Sequence, residues 1–174
     1  MKKVITTEDS LTTFKRKAAL ASIWDLIFSG ANARFKDQLA DVKAWHIDSK
    51  LGNELSYKIL KTGITSKVIT PVGELLGLNK TLFASYLDLD RGTVARLAAK
   101  NQTLPTYAAE NILRLLELNA QAAETFASEK EAFAWLNRPH PMLEGDSPLA
   151  AARTSYGTQR VKDMLLAIQY GGVV

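Results

Sequence analysis

Apolar side chains recur every three or four residues along almost the whole chain, the spacing that places them on one face of an α-helix. No stretch shows the alternation of apolar β-branched and polar residues that is typical of a half-buried strand. The chain has 174 residues, 47% of them hydrophobic, and a chain of this size can bury a core of its own. We therefore predict an all-α fold, built as a helical bundle.

The sequence lacks the features of secreted and membrane proteins. It contains no cysteine, which excludes disulfides and thiolate metal sites and is typical of a reducing compartment. No apolar run approaches the roughly 20 residues that a membrane-spanning helix needs. The residues after Lys2 and Lys3 are polar, whereas a signal peptide would continue with an apolar segment. We expect a cytoplasmic protein that makes no contact with a membrane.

Loop-forming residues and helix caps divide the chain into three predicted regions: a helical extension over residues 1–52, a central region over residues 53–127 and a C-terminal domain over residues 128–174. The stretch from His46 to Asn53 is rich in turn-forming residues and marks the first boundary. Ser128 and Glu131 have the spacing of a capping box and mark the second.

Two helices are predicted in the N-terminal extension. The first has one apolar face and ends at Gly30, and the second continues the pattern; the apolar residues are Leu11, Phe14, Ala21, Trp24 and Phe28, then Phe35, Leu39 and Val42. Together with Trp45 they are more apolar than an isolated helical hairpin could hide. We interpret the extension as a homodimer contact, and the alternative is that it packs against the central region of its own chain.

Proline and glycine mark the ends of several later helices, since proline fits the first turn of a helix and glycine the position after its last turn. The predicted helices are Thr65 to Leu76 (starting as late as Thr70 because of Pro71), Lys80 to Leu87, Arg91 to Lys100, a long helix with Pro105 as its first residue, a helix from Ser128, and a last helix from Ser147-Pro148 to Gly171-Gly172.

Charge is distributed unevenly along the chain. Residues 1–100 hold 16 Lys and Arg against 10 Asp and Glu, a net charge of +6, whereas residues 101–174 hold 6 against 8, a net charge of −2. A basic half is typical of nucleic-acid binding, and a mildly acidic apolar half is more typical of contact with another protein. The alternative is that the difference arises by chance.

A helix-turn-helix motif is predicted within residues 80–100. Such a motif needs a small residue where the two helices cross, apolar residues around the turn and apolar residues on the inner face of the second helix. The chain supplies these in order as Ala84, Leu87, Leu89, Val94 and Leu97. Asp88 stands at the turn position where glycine is usual because the backbone is left-handed there, a conformation that Asp tolerates better than most residues.

With its apolar residues turned inward, the second helix of this motif presents a basic surface. Arg can bind guanine edges with two hydrogen bonds, whereas Thr, Lys and free backbone amides suit phosphates. The predicted DNA-binding residues are Lys80, Arg91, Thr93, Arg96 and Lys100, with Gly92 on the same face. The alternative is that these are solvated basic residues on an ordinary pair of core helices.

The segment from Trp135 to Leu149 and the helix that follows it carry an unusual pattern. An Ala-x-x-Trp-Leu run is followed by a proline-containing loop, a Leu-x-Gly-x-x-Pro-Leu run and a glycine-led helix that ends near Tyr170-Gly171. The matching residues are Ala132, Trp135, Leu136, Leu143, Gly145, Pro148, Leu149, Gly157 and Gly171. This pattern resembles the Xre/MbcA/ParS family of antitoxins, in which a toxin-binding domain follows an Xre-like helix-turn-helix. The resemblance covers roughly residue 54 to the end, and residues 1 to about 50 lie outside it.

The resemblance implies an antitoxin of a type II toxin–antitoxin system. Its partner would be a cognate toxin similar to the RES-domain toxins that consume NAD, whose active site the antitoxin occludes, and the chain would repress its own operon by binding operator DNA. The candidates for toxin contact lie on the outer face of the last helix and in the tail: Arg153, Tyr156, Arg160, Tyr170, Gly171, Gly172, Val173 and Val174. Tyr and Arg are the residue types that dominate interface energies.

The sequence contains no recognisable catalytic set. The two histidines, His46 and His140, have no second ligand at metal-binding spacing, and turn and cap chemistry explains Asp88 and Asp90. We therefore expect no cofactor, no metal site and no enzymatic activity. The main alternative function is a plain transcriptional repressor with a C-terminal oligomerisation module, and a small helical enzyme is a further one.

Overall fold

The computed structural model describes residues 7–29 and 53–171, and it describes side chains from residue 14 onwards. Within these two ranges the backbone forms nine α-helices and no β-strand, so the prediction of an all-α fold is confirmed. The helices are α1 (Thr7–Phe28), α2 (Asn53–Thr62), α3 (Ile69–Leu76), α4 (Lys80–Tyr86), α5 (Arg91–Ala99), α6 (Thr106–Phe126), α7 (Glu129–Asn137), α8 (Pro148–Ala151) and α9 (Ser155–Gln169). Two short 3-10 helices, Ser66–Val68 and Pro141–Leu143, precede α3 and α8.

Side-chain caps fix the starts of the helices close to where the sequence predicts them. Asn79 and Asp90 accept hydrogen bonds from backbone amides in the first turns of α4 and α5, and Ser128 does the same for Glu131 in α7. Pro105 is the cap residue before α6 rather than its first helical residue, a displacement of one position. Among the described helices, none is both long enough and apolar enough to cross a lipid bilayer.

Helix α6 is the centre of the molecule. Ten of its 21 residues are buried, including Ile112, Leu115, Leu116 and Leu118, and the helix packs against α2, α3, α7 and α9. A helix that is apolar around most of its circumference has to be enclosed on several sides. The buried residues of the central and C-terminal regions consequently form one continuous hydrophobic core with those of α1.

Helix α1 packs on both α3 and α7. Its buried face consists of Ile23, Trp24, Ile27 and Phe28. The predicted face was wrong in part, because Phe14 is 68% exposed and Ala21 is also exposed. Both residues lie roughly a quarter turn or more from the centre of the buried face. Gly30, Phe35, Leu39, Val42 and most of the stretch from His46 to Asn53 lie outside the described residues.

Arg16 continues the contact of α1 toward the N-terminal end of the helix, and sequence reasoning did not single it out. Its guanidinium lies 4.7 Å from the centre of the Phe133 ring and forms an ion pair with Glu129 at 3.5 Å. It also donates to the Asn119 side chain at 3.4 Å. Helix α1 thus packs within its own chain, which was the alternative to a homodimer contact for this helix. Arg16 connects it to α6 and α7.

The last predicted helix is interrupted, which corrects the prediction of one helix from Ser147-Pro148 onwards. Helix α8 ends at Ala151, and Thr154 starts α9 as its cap, with its hydroxyl accepting from the Gly157 amide at 3.0 Å. The two helices approach each other so closely that a Cβ on Gly157 would lie 1.8 Å from the Ala151 carbonyl oxygen. Glycine is therefore needed at this crossing.

Candidate functional site

Helices α4 and α5 are joined by a tight turn over residues 87–90. The Leu89 amide donates to the Ala84 carbonyl at 3.0 Å, and Ala84 and Leu87 are buried. Asp88 has a φ of 52°, so the predicted left-handed backbone at this position is confirmed. Beyond the turn, Leu97 is buried and Val94 is half-buried on the inner side of α5.

Ser66, in the 3-10 helix before α3, forms hydrogen bonds with the C-terminal end of α5 and was missed by sequence reasoning. Its hydroxyl donates to the Leu97 carbonyl at 2.8 Å, and its amide donates to the Gln102 carbonyl at 2.9 Å. The residue is 1% exposed. Its only signal in the sequence is a polar residue inside an apolar stretch, and such a residue has to find a hydrogen-bond partner when it is buried.

The predicted DNA-binding residues fall into three places on the α4–α5 pair. Lys80 and Arg91 line one shallow cavity of about 300 Å³ between α3, α4 and α5, and Arg91 donates to the Thr81 hydroxyl. Arg96 is exposed and donates to the Gln102 side chain at 3.3 Å. Lys100 is exposed just after the end of α5. The four cations therefore lie on the solvent side of the pair.

Thr93 occupies a different environment from these cations. It is half-buried, its hydroxyl donates to Asp90 Oδ2 at 2.6 Å and its amide donates to Asp90 Oδ1 at 2.9 Å. These hydrogen bonds hold the pKa of Asp90 below its ordinary value, since they stabilise the carboxylate. Thr93 and Asp90 together fix the first turn of α5.

The loop between α7 and α8, residues 138–147, folds into a compact platform. The His140 amide donates to the Asp146 carbonyl at 2.9 Å, and the Met142 amide donates to His140 Nδ1 at 3.2 Å. Trp135 is 7% exposed and lies against Phe126 and His140, with ring centres 5.6 and 6.2 Å apart. His140 is therefore part of the loop structure, and the described residues contain no group of side chains arranged to hold a metal ion.

Helix α9 rests on this platform and presents a polar and aromatic outer face. Tyr156 is 92% exposed and Tyr170 is 84% exposed. Arg160 is exposed, and its guanidinium donates to the Met142 carbonyl at 2.7 Å, which joins the helix to the platform. Arg153 and Gly171 are exposed as well, whereas Gly172, Val173 and Val174 lie outside the described residues.

Two apolar side chains extend this outer face and were not predicted. Met142 on the platform and Leu166 on α9 are 44% and 42% exposed. An apolar pattern alone could not separate Leu166 from its buried neighbour Leu165, because adjacent positions differ by only about 100° around a helix. The outer face of α9 thus combines aromatic, aliphatic and cationic side chains.

A polar network around Arg114 connects the start of α9 with the end of α4, and sequence reasoning missed it too. The Arg114 guanidinium donates to Asn111 Oδ1 at 2.8 Å, Ser155 Oγ at 3.2 Å and the Arg153 carbonyl at 3.5 Å. The Asn111 amide donates to the Tyr86 carbonyl at 3.0 Å. The signal in the sequence is a pair of polar residues, Asn111 and Arg114, within the apolar run of α6.

Tyr86 makes a second contact with the same segment. Its ring is buried, and the exposed Arg153 guanidinium lies 5.8 Å from the ring centre. Burial raises the pKa of the Tyr86 hydroxyl, and the Arg153 charge lowers it in part. The last residue of α4 therefore touches the segment that leads into α9.

Comparison with known proteins bears on the C-terminal region. Residues 121–171 match the family described as the antitoxin Xre/MbcA/ParS C-terminal toxin-binding domain. A protein of Sphingobium sp. named Prs ADP-ribosylating antitoxin is 28% identical over 122 residues, which cover 65% of this chain and 77% of that protein. Antitoxin Xre of Pseudomonas putida is 29% identical over 72 residues, 41% of this chain and 45% of that protein. Residues 121–171 are therefore similar to the toxin-binding domain of the Xre/MbcA/ParS antitoxins, the family that the C-terminal pattern predicts.

Proposed function

We propose that this antitoxin neutralises a RES-like, NAD-consuming toxin by covering the toxin's active site, and that it represses its own operon by binding duplex DNA. The observation that carries the proposal is the match of residues 121–171 to a toxin-binding domain, since this segment includes the platform and α9. In this proposal the chain has no catalytic role of its own, and the chemistry belongs to its partner.

The outer face of α9 is the proposed toxin contact. Tyr156 and Tyr170 expose large aromatic rings to water, and buried Tyr and Arg side chains contribute most to the affinity of protein interfaces. Arg160 is held by the Met142 carbonyl, so less conformational entropy is lost when it meets a partner. With Arg153 these residues form the proposed contact surface, and the proposal also assigns the tail residues Tyr170 to Val174 to the toxin contact.

The name of the Sphingobium relative supports the proposed class of partner. That protein is named a Prs ADP-ribosylating antitoxin. ADP-ribosylation takes its ADP-ribose from NAD, so the name is compatible with a partner that consumes NAD. For this chain a RES-like toxin remains our proposal, which rests on the C-terminal pattern.

The α4–α5 pair is the proposed DNA-binding surface. Helix α5 has the length and the exposed arginine, Arg96, that reading of base edges in a major groove requires. Lys80 and Arg91 share one cavity and suit a phosphate, and Lys100 extends the basic surface. Thr93 contributes through its hydrogen bonds with Asp90, which fix the first turn of α5.

We also propose that the chain binds DNA as a homodimer. The proposed division into three regions remains residues 1–52, 53–127 and 128–174. A two-fold operator needs two recognition helices about one turn of DNA apart. The buried face of α1 is occupied by α3 and α7 of its own chain. The dimer contact would therefore use other surfaces of the extension.

The proposal predicts that a RES-like toxin is encoded beside the gene of this chain, and co-expression of the two proteins tests the proposed function. We expect growth to be rescued, and we expect a variant that lacks Tyr170 to Val174 to bind DNA without rescuing growth. Full rescue by the truncated chain would show that the tail is not part of the contact. A chain that represses its promoter but binds no toxin would be the plain repressor instead.

A further inference from the structure

The two proposed binding surfaces are connected inside the molecule through Arg114. Its hydrogen bonds reach Ser155 and the Arg153 carbonyl on one side and, through Asn111, the Tyr86 carbonyl on the other. Ser155 directly precedes Tyr156, the most exposed aromatic residue of the α9 face. Tyr86 is the last residue of α4 and directly precedes the turn that orients α5.

Arg153 is exposed and can be reached by a partner, while its aromatic partner Tyr86 is buried. In the free chain its guanidinium faces the Tyr86 ring, a favourable cation–π arrangement. A bound partner that takes this guanidinium removes the cation from the ring and pulls on the carbonyl that Arg114 holds. The Arg114 Nε is buried and lacks a hydrogen-bond partner within the described residues, so the network is not fully satisfied in the free chain.

We propose that Arg114 is a positioning residue that couples the two surfaces: occupation of Arg153 and Tyr156 by a protein partner shifts the turn between α4 and α5 and thereby changes the affinity for duplex DNA. The inference rests on the proposed function for the identity of the two ligands. Coupling between two sites is reciprocal, so DNA changes the affinity for the partner by the same factor, which is about 5-fold or more in typical cases.

Hydrogen exchange of the free full-length chain tests the coupling without either ligand. The Leu89 amide reports on the turn through its bond to the Ala84 carbonyl, and the Leu116 amide in the buried centre of α6 reports on global unfolding. We expect Arg153→Ala and Ser155→Ala each to speed exchange at Leu89 by about 5-fold and to leave Leu116 much less affected. Ser155→Ala should have no further effect once Arg114→Met is present, because the residue that connects Ser155 to the turn is gone. Arg153→Ala should keep part of its effect, since its guanidinium also contacts the Tyr86 ring directly.

Arg160→Ala is the matched control, since Arg160 is an exposed arginine of the same surface that bonds to Met142 instead of the network. It should leave exchange at Leu89 unchanged. Exchange at Leu89 that stays at the wild-type rate in Arg153→Ala and Ser155→Ala overturns the proposal, as does an equal acceleration at Leu89 and Leu116. If Arg114→Met does not fold, Arg114→Lys replaces it, because lysine keeps the charge but lacks the planar set of donors.

A second experiment separates the coupling from the proposed DNA binding. The probe is a labelled duplex that contains the sequence upstream of the gene, and its Kd is measured for the wild type, Arg153→Ala and Arg160→Ala. We expect only Arg153→Ala to change the Kd, by about 5-fold. An unchanged Kd in Arg153→Ala overturns the coupling to DNA. If the wild type itself does not bind at low salt, the proposed DNA function fails, and the exchange experiment alone decides whether the network couples the two ends.

Discussion

The α4–α5 pair and the α9 face differ in how the core supports them. Helix α5 has one fully buried side chain, Leu97, and presents cations on its outer side. Helix α9 has four buried side chains and presents aromatic residues on a platform that is closed by its own hydrogen bonds. A lightly anchored cationic helix suits a charged polymer, whose binding depends on salt, whereas a firmly anchored aromatic face suits a complementary protein surface.

The largest effect is expected on the free energy of unfolding, when a buried side chain that holds α9 on the core is removed. Leu165 is completely buried, so Leu165→Ala should lower the free energy of unfolding by about 2–5 kcal/mol, through lost burial and the cavity that remains. Urea denaturation measures this change. Leu166→Ala, at the exposed neighbouring position, is the control and should change stability by less than about 0.5 kcal/mol. Similar losses in the two variants would contradict the assignment of buried and outer faces.

Removing the most exposed aromatic side chain should weaken only the binding of the protein partner. Tyr156→Ala should weaken toxin binding by about 2–4 kcal/mol, which calorimetry on the purified pair measures, because an exposed tyrosine on a rigid face is a typical interface anchor. Binding of the upstream duplex and the unfolding temperature should hardly change, since the side chain makes few contacts in the free chain. Toxin affinity equal to that of the wild type would place the contact elsewhere.

The opposite result is expected for the cationic helix. Arg96→Ala should weaken binding of the upstream duplex by about 1–3 kcal/mol and leave toxin affinity unchanged. Lys80→Ala should weaken the binding of duplexes of all sequences equally. It should also reduce the slope of log Kd against log salt concentration by about one unit. Fluorescence anisotropy at several salt concentrations measures both effects. A salt dependence that is the same in wild type and Lys80→Ala would argue against a phosphate contact at Lys80.

The smallest effect concerns the first turn of α5. The pKa of Asp90 is lowered in the folded chain, so its contribution to stability is present at neutral pH and is lost as the pH falls through the folded pKa. We expect exchange of the Thr93 amide, corrected for its intrinsic pH dependence, to speed up on acidification in the wild type. Asp90→Asn keeps a good cap without a titrating group, so its corrected rate should stay constant. The same acid response in both proteins would exclude Asp90 as the cause.

Local signals in the sequence predicted the positions of most helices and the C-terminal family. Caps such as Asn79, Asp90 and Ser128 act within three residues of their partners, so a short stretch of sequence contains both members of each hydrogen bond. The left-handed Asp88 was predictable for the same reason, because the spacing of the neighbouring apolar residues defines the turn. Whether the cations of α5 bind DNA remains a prediction.

The residues that sequence reasoning missed act over long separations. Ser66 bonds to a residue 31 positions away, and Arg114 bonds to Ser155, 41 positions away. Nothing near a polar residue in the sequence identifies such a partner. The break between α8 and α9 was missed because it depends on the close approach of Gly157 to Ala151, which only the packed structure reveals.

The packing of α1 also has a consequence for the order in which the protein can fold during synthesis. Helix α1 leaves the ribosome before both of its partners, and one of them, α7, ends only at Asn137. At ordinary translation rates the ribosome needs on the order of 10 s to add the intervening residues. During this interval Ile23, Trp24, Ile27 and Phe28 lack part of their final cover, and a nascent chain in this state would be a natural substrate for chaperones.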